Sequence, residues 1–201
     1  MLEWLMDEFE RAKARIRPSH SQWMDQQGIT QEALVRAGGY GVGRVAFGVH
    51  GDWQPADEDG EPAIVLPCWT PEGEGPRVLY DLVAFRPGNP ELPARRRLDV
   101  AWLGEDELAV ADFWHLPITI RTDAMTWLRS GAKGIVVLEW ARAVPHLLEM
   151  SELCGETEEL TQILRVQLTR ALLNRLPRIS DLPRPKERAA PDRDIDLGCA
   201  A

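Results

Sequence analysis

The sequence predicts a mixed α/β (α+β) domain, and three stretches carry that expectation. Residues 134–138, GIVVL, form a short continuous apolar run with β-branched residues at its centre, as a strand covered on both faces requires. From Ala141 the apolar residues return at helical steps (Val144, Leu147, Leu148), so a helix follows across a turn at Glu139 and Trp140. Upstream, residues 63–67 and 77–85 are strand-like runs around TPEGEGP and read as an antiparallel hairpin. At the start, Leu2, Leu5, Met6, Phe9, Ala12 and Ile16 mark one face of an amphipathic helix over residues 2–16. The expected order is N-terminal helices and a small antiparallel sheet, then a short β-α-β-α unit, then a long C-terminal helix.

The remaining elements follow from local signals. In the first helix acids precede bases, which suits the helix dipole and accounts for Arg11, Lys13, Arg15 and Arg17 without a ligand. Pro18 breaks it, and Ser19 or Ser21 is placed to cap a short helix through Trp23 and Met24 that Gly28 ends. Thr30 caps the next, TQEALVRA. GGYGVG then turns the chain into RVAFGV; it follows a helix and lacks a Lys-Ser/Thr pair, so it reads as a turn rather than a phosphate loop. Residues 52–60 read as a solvated acidic loop without the ligand alternation of a calcium site. Both faces of the 77–85 strand are apolar, which makes it central, with Asp81 the exception. Val78, Tyr80, Leu82 and Ala84 are expected on one face, and Leu79, Val83 and Phe85 on the other. The following RPGNPELPARRRL reads as a loop holding Arg86, Arg95, Arg96 and Arg97. Residues 99–115 are helical in part, and 117–120 form a brief strand. Thr122 or Asp123 caps a helix that Gly131 ends. The long closing helix runs to Leu176, with Leu160, Ile163, Leu164, Leu168, Ala171 and Leu172 facing inward.

A chain of 201 residues, 44% hydrophobic and 27% charged, suits one globular domain with a proper core. The expected unit is 1–176, divisible at most into 1–98 and 99–176, followed by a flexible Pro- and charge-rich tail over 177–201. No apolar run is long enough to cross a bilayer, and the acidic N-terminus is unlike a signal peptide, so a cytoplasmic protein is expected. Cys68, Cys154 and Cys199 share no metal-type spacing, which speaks against a zinc site or disulfide framework. A net charge of -9 argues against broad, unspecific phosphate binding but leaves room for a local basic patch. Residues 86–97 hold the one dense basic cluster outside a helix.

No catalytic constellation is spelled in the chain. His20, His50, His115 and His146 are scattered, and neither a nucleophile elbow nor a zinc-protease motif occurs. Glu139 stands where a strand ends, the place where open α/β sheets bind ligands, and His146 lies seven residues on. Glu139 is therefore the catalytic candidate. Asp81 and Asp123 are its possible companions if the fold gathers them.

Between Trp23 and Met150 the order of motifs resembles the catalytic core of DnaG-type primases, a small N-terminal subdomain followed by a Toprim fold. Gln27-Gly28-Ile29, the helix TQEALVRA and Gly39-Tyr40 match its opening. Ile64 to Pro67, Gly73 to Gly75, Val78 to Arg86 and Arg95 to Arg97 match the strand, turn, strand and basic segment that follow. GIVVLE matches the strand whose Glu opens the Toprim part. The resemblance implies that Arg86 and Arg95 to Arg97 contact phosphates and that Glu139 occupies the position of the family's metal-binding acid. Departures qualify the second implication. Trp140 stands where a Gly is usual, no later strand ends in D-x-D, and Asp192-Arg193-Asp194 falls in the Pro-rich tail. One carboxylate cannot hold the magnesium that phosphoryl transfer needs.

Three function readings follow. The favoured one is a non-catalytic primase/Toprim-like accessory protein, of phage or mobile-element type, needing no cofactor and binding DNA, RNA or a replication protein. The second is a magnesium-dependent phosphoryl-transfer enzyme using Glu139. The third is an acidic interaction module or nucleic-acid mimic presenting residues 52–74 and 149–159.

Overall fold

Leu5, Phe9 and Ala12 recur one turn apart, and this stripe seats helix α1 (Glu3–Ala14) on the first of two sheets. In the computed structural model, which describes residues 3–71 and 76–175, that sheet is antiparallel. Its strands are β1 (Gly41–Phe47), β2 (Trp53–Pro55), β3 (Glu61–Trp69), β4 (Leu79–Arg86) and β5 (Asn89–Arg95), in the order β2-β1-β3-β4-β5. The central pair obeys the two-residue alternation of strands. Ala63, Val65, Leu82 and Ala84 face α1, while Ile64, Leu66, Val83 and Phe85 face the opposite layer. That layer holds α2 (Pro18–Gln26) and α3 (Gln31–Arg36), which contribute Met24, Ala33 and Leu34.

The second sheet is short and mostly parallel. Strands β6 (Trp102–Leu103), β7 (Ile118–Arg121), β8 (Ile135–Val137) and β9 (Leu153–Gly155) lie in the order β6-β8-β7-β9, with only the β6 pairing antiparallel. Helices α4 (Glu105–Trp114), α6 (Trp140–Leu147) and α7 (Glu158–Arg175) bury Leu108, Ala143, Leu147, Leu160 and Leu164 on one face. Helix α5 (Ala124–Arg129) covers the other, and its Met125, Trp127 and Leu128 share a core with Leu66, Val83 and Phe85 of the first sheet. Helix α5 is thus the layer common to both sheets. Consecutive helices on opposite faces are what right-handed crossovers produce when the chain reverses direction across a parallel sheet. Gly104 and Gly134, both at positive φ, allow the tight packing here: a Cβ on the first would strike the Gly134 carbonyl, and on the second the Thr119 carbonyl.

The mixed α/β class and element order match the expectation, with local corrections. The segment after Arg86 is a hairpin rather than a loop, because Pro90 and Pro93 sit in β5, an edge strand that needs few outward N–H groups. The acidic loop contains β2, whose Trp53 is buried. Strand β6 arises within a segment expected to be helical in part, and β9 within the acidic stretch 149–159. A bulge between Cys68 and Trp69 resets the alternation, so Leu79 joins Leu82 and Ala84 while Tyr80 packs on the Val83 side. The N-cap of α2 is Arg17, not Ser19 or Ser21; Pro18 opens the helix and His20 Nδ1 accepts the Arg17 N–H. In α7 only Leu160 and Leu164 are buried, with Leu168 partly so, whereas Ile163 and Leu172 are exposed because the helix leans on α6 and β9 by its first half. No helix among the described residues is long and apolar enough to cross a membrane. The tail expected over 177–201, with its Asp192 and Asp194, lies outside the described residues, as do Gly73 to Gly75.

Candidate functional site

Strand β8 ends by pinning its backbone to the start of β6: the Leu138 and Glu139 N–H groups both donate to the Ala101 carbonyl. Glu139 is the N-cap of α6, yet its side chain makes no capping bond. It turns instead to Arg95, whose Nη1 lies 2.5 Å from Oε2. That guanidinium is nearly buried and also donates to the Val100 carbonyl at 2.9 Å. Arg142, one turn into α6, lies 3.9 Å from Glu139 and donates to the Leu98 and Asp99 carbonyls. The short side-chain contact of Glu139 therefore runs to Arg95, at the start of the connection between the two sheets.

Asp81 organises that connection. Fully buried in β4, its Oδ1 accepts the N–H groups of Leu82 and Arg97, and its Oδ2 those of Asp99 and Val100, at 2.8 to 3.2 Å. A buried carboxylate is tolerable only with such compensation. By sequence Asp81 is the exception in an apolar strand and a possible companion of Glu139. Its carboxylate is spent on the loop. Asp123, the other possible companion, caps α5 by accepting the Thr126 N–H at 2.9 Å.

The four arginines of the basic segment do not converge. Arg86 grips Glu61 through two bonds of 2.5 and 2.7 Å and stacks over Phe47; this pairing lowers the Glu61 carboxyl pKa and raises that of the guanidinium. Arg95 holds Glu139. Arg96 reaches across the sheet to Glu8 of α1 at 2.8 Å, beside the rings of Trp4 and Trp53. Arg97 pairs with Asp99 at 2.7 Å and donates to the Tyr80 carbonyl. A phosphate at any of these positions has to compete with a carboxylate already there.

Beside Glu139 opens a cavity of about 290 Å³ lined by Tyr80, Asp99, Trp102, Glu105, Arg142 and His146. His146 meets the edge of Trp102 with ring centroids 5.1 Å apart, so the histidine placed near Glu139 by sequence lines the neighbouring cavity. The Tyr80 hydroxyl donates to Glu105 Oε2 at 2.9 Å. Burial pushes the Glu105 carboxyl up, an effect that the Tyr80 bond opposes in part; burial also pushes up Tyr80 and the enclosed Cys68 thiol. Sequence reading passed over Glu105, since an acid in the first turn of a helix is explained by the dipole alone. The cavity offers proton donors and acceptors in Tyr80, Glu105 and His146.

Magnesium does not fit Glu139 as it stands. Its charge is met by Arg95, and among the described residues no group of three or more His, Cys, Asp and Glu could hold a metal ion. No protein-family model matches the chain, and neither a curated protein nor a solved structure matches it.

Proposed function

We propose that this chain is a non-catalytic accessory protein built on a primase/Toprim-like scaffold that binds nucleic acid at a replication complex. The observation that carries the reading is the Glu139 and Arg95 ion pair at the carboxyl end of β8. A strand-end acid that would serve magnesium in a phosphoryl-transfer enzyme is used here to join the second sheet to the β5–β6 connection. Of the four arginines, Arg86 and Arg97 are the two whose guanidinium groups are most open, and each can trade a partly exposed carboxylate for a phosphate.

Fluorescence anisotropy with labelled single- and double-stranded DNA and RNA tests the proposal. Binding should appear at low salt and weaken steeply as salt rises. Arg86→Ala and Arg97→Ala should each lower affinity and reduce the salt slope by about one. Absence of binding to all four probes at low salt would reject it.

A further inference from the structure

A cavity of about 770 Å³ lies away from Glu139, between the end of α1, the start of α2 and the β1–β3 edge. Its floor is apolar: Met24 and Ile64 are buried beneath it, with half-buried Trp23 and Val42 beside them. Its rim carries Arg15, Arg17 and Arg44, all exposed, and none holds a carboxylate among the described residues. Arg15, Arg17 and Arg44 thus gather three cations on one rim, whereas Arg86, Arg95, Arg96 and Arg97 each already hold a carboxylate. Arg15 reaches over β1 at Gly43, where a Cβ would already touch its Nη1 at 3.5 Å. His20 accepts the Arg17 N–H through Nδ1, which leaves Nε2 as its N–H donor. On the facing rim, in the turn between β2 and β3, stand the exposed carboxylates of Asp57 and Glu58.

We propose that this groove binds a nucleotide unit, either free or within a single strand. The chemistry of the walls selects that class. Inorganic phosphate would use the arginines and leave the apolar floor wet, whereas a purely apolar ligand would leave three cations unused. A nucleotide uses both, with its phosphate at Arg15, Arg17 and Arg44 and its base laid on the floor beside the Trp23 indole. The facing carboxylates add a preference, because they accept from exocyclic amines and ring N–H groups, as cytosine, adenine and guanine offer more fully than thymine. Pro62 and Pro87 line the same groove and are the chain neighbours of Glu61 and Arg86. A strand leaving the groove therefore passes Arg86. This last step rests on the nucleic-acid reading above; the nucleotide site itself does not.

The test uses the full chain with two probes, dCMP and a labelled short oligo(dC), by calorimetry and anisotropy at low salt. Arg17→Glu and Arg44→Glu change exposed residues, and circular dichroism confirms their folding. Each should weaken both probes about tenfold, the effect of losing one charge-assisted bond. Arg165→Glu, an equal charge change on α7, should leave both within about twofold, a shift no larger than long-range screened charge allows. Joint replacement Asp57→Asn and Glu58→Gln should erase a preference for oligo(dC) over oligo(dT). Binding of dCMP without oligo(dC) supports the groove as a site for free nucleotides and counts against its use by a single DNA strand. Binding of oligo(dC) that Arg17→Glu and Arg44→Glu leave unchanged overturns the groove and keeps the nucleic-acid reading. No binding of either probe overturns the groove, and the nucleic-acid reading falls with it when the four probes named for that reading also fail to bind.

Discussion

Replacing Asp81 with Ala removes one side chain and orphans the N–H groups of Leu82, Arg97, Asp99 and Val100, now held at 2.8, 2.9, 2.9 and 3.2 Å. A hydrogen bond to a charged acceptor contributes about 1.5–3 kcal/mol, and a buried donor left alone costs about 1–3 kcal/mol. Adding four such values overshoots, because the amides share one acceptor and water can enter the vacated space. We expect a loss of about 3–5 kcal/mol, a large fraction of the roughly 5–15 kcal/mol available to a domain. Asp81→Asn should be no rescue. Its amide nitrogen would confront two N–H donors where an oxygen now accepts them. Urea denaturation at neutral pH reads the stability. Hydrogen exchange at Arg97, Asp99 and Val100 reads the loop directly, and these amides should lose protection in both variants. If Asp81→Asn stays within about 1 kcal/mol of the parent, or the three amides keep their protection, the carboxylate does not organise this connection and the reasoning fails.

Other predictions concern packing and charge. Leu164→Ala should cost about 2–5 kcal/mol, as Leu164 is buried against α6 and the second sheet, whereas exposed Leu172→Ala should stay within about 0.5 kcal/mol; thermal melts of both variants decide this. Arg96→Ala should destabilise by about 1–3 kcal/mol by leaving the largely buried Glu8 carboxylate unpaired and stripping a cation from Trp4 and Trp53, and denaturant titration checks it. Burial raises the Glu105 carboxyl above its ordinary 4.5. A raised acid contributes stability that is present below the unfolded pKa and is lost as pH rises through the folded one. Stability measured across that window should therefore fall in the parent and fall less in Glu105→Gln, whose carbonyl still accepts the Tyr80 hydroxyl.

Elements with a strong period were legible in the sequence. Strand 134–138, the helix after it and the α1 stripe from Leu5 to Ala12 all stand where their apolar spacing puts them. Short strands were not, because two or three residues such as those of β6 and β9 hold too little pattern, and β5 carries two prolines that argue against a strand until its edge position is known. In α7 the spacing of Ile163 and Leu172 suits a helix face, but burial depends on how much of that face α6 and β9 reach. The candidate site shows the same division. That Glu139 ends a strand is a local property and could be read. That Arg95 meets it from 44 residues away is a product of two sheets packing through α5, and no spacing announces it. Arg15 and Arg17 were explained by the helix dipole, which remains sufficient for their position; their open guanidinium groups beside Trp23 emerge only when α2 and β1 close the groove.

The ion pair at Glu139 separates the accessory reading from the enzymatic one, and its energy can be measured. Arg95 is largely buried and Glu139 about a third exposed, so the pair lies between surface bridges worth up to about 1 kcal/mol and buried ones costing about 3–5 kcal/mol to break. A double-mutant cycle with Arg95→Met and Glu139→Gln should give a coupling of about 1–2 kcal/mol. Arg142, at 3.9 Å, is too distant to replace Arg95 without moving. Magnesium should then leave the melting temperature of the parent unchanged, since a ligand that binds only the folded state would raise it. In Arg95→Met, freed Glu139 still faces the ion as a single carboxylate, too few oxygens for an octahedral site, so the melting temperature should again hold steady. A magnesium-dependent rise in the parent that Glu139→Gln abolishes would mean that the ion displaces Arg95 and finds further ligands. That result would turn Glu139 from a clasp into a metal-binding acid and return the protein to phosphoryl-transfer chemistry.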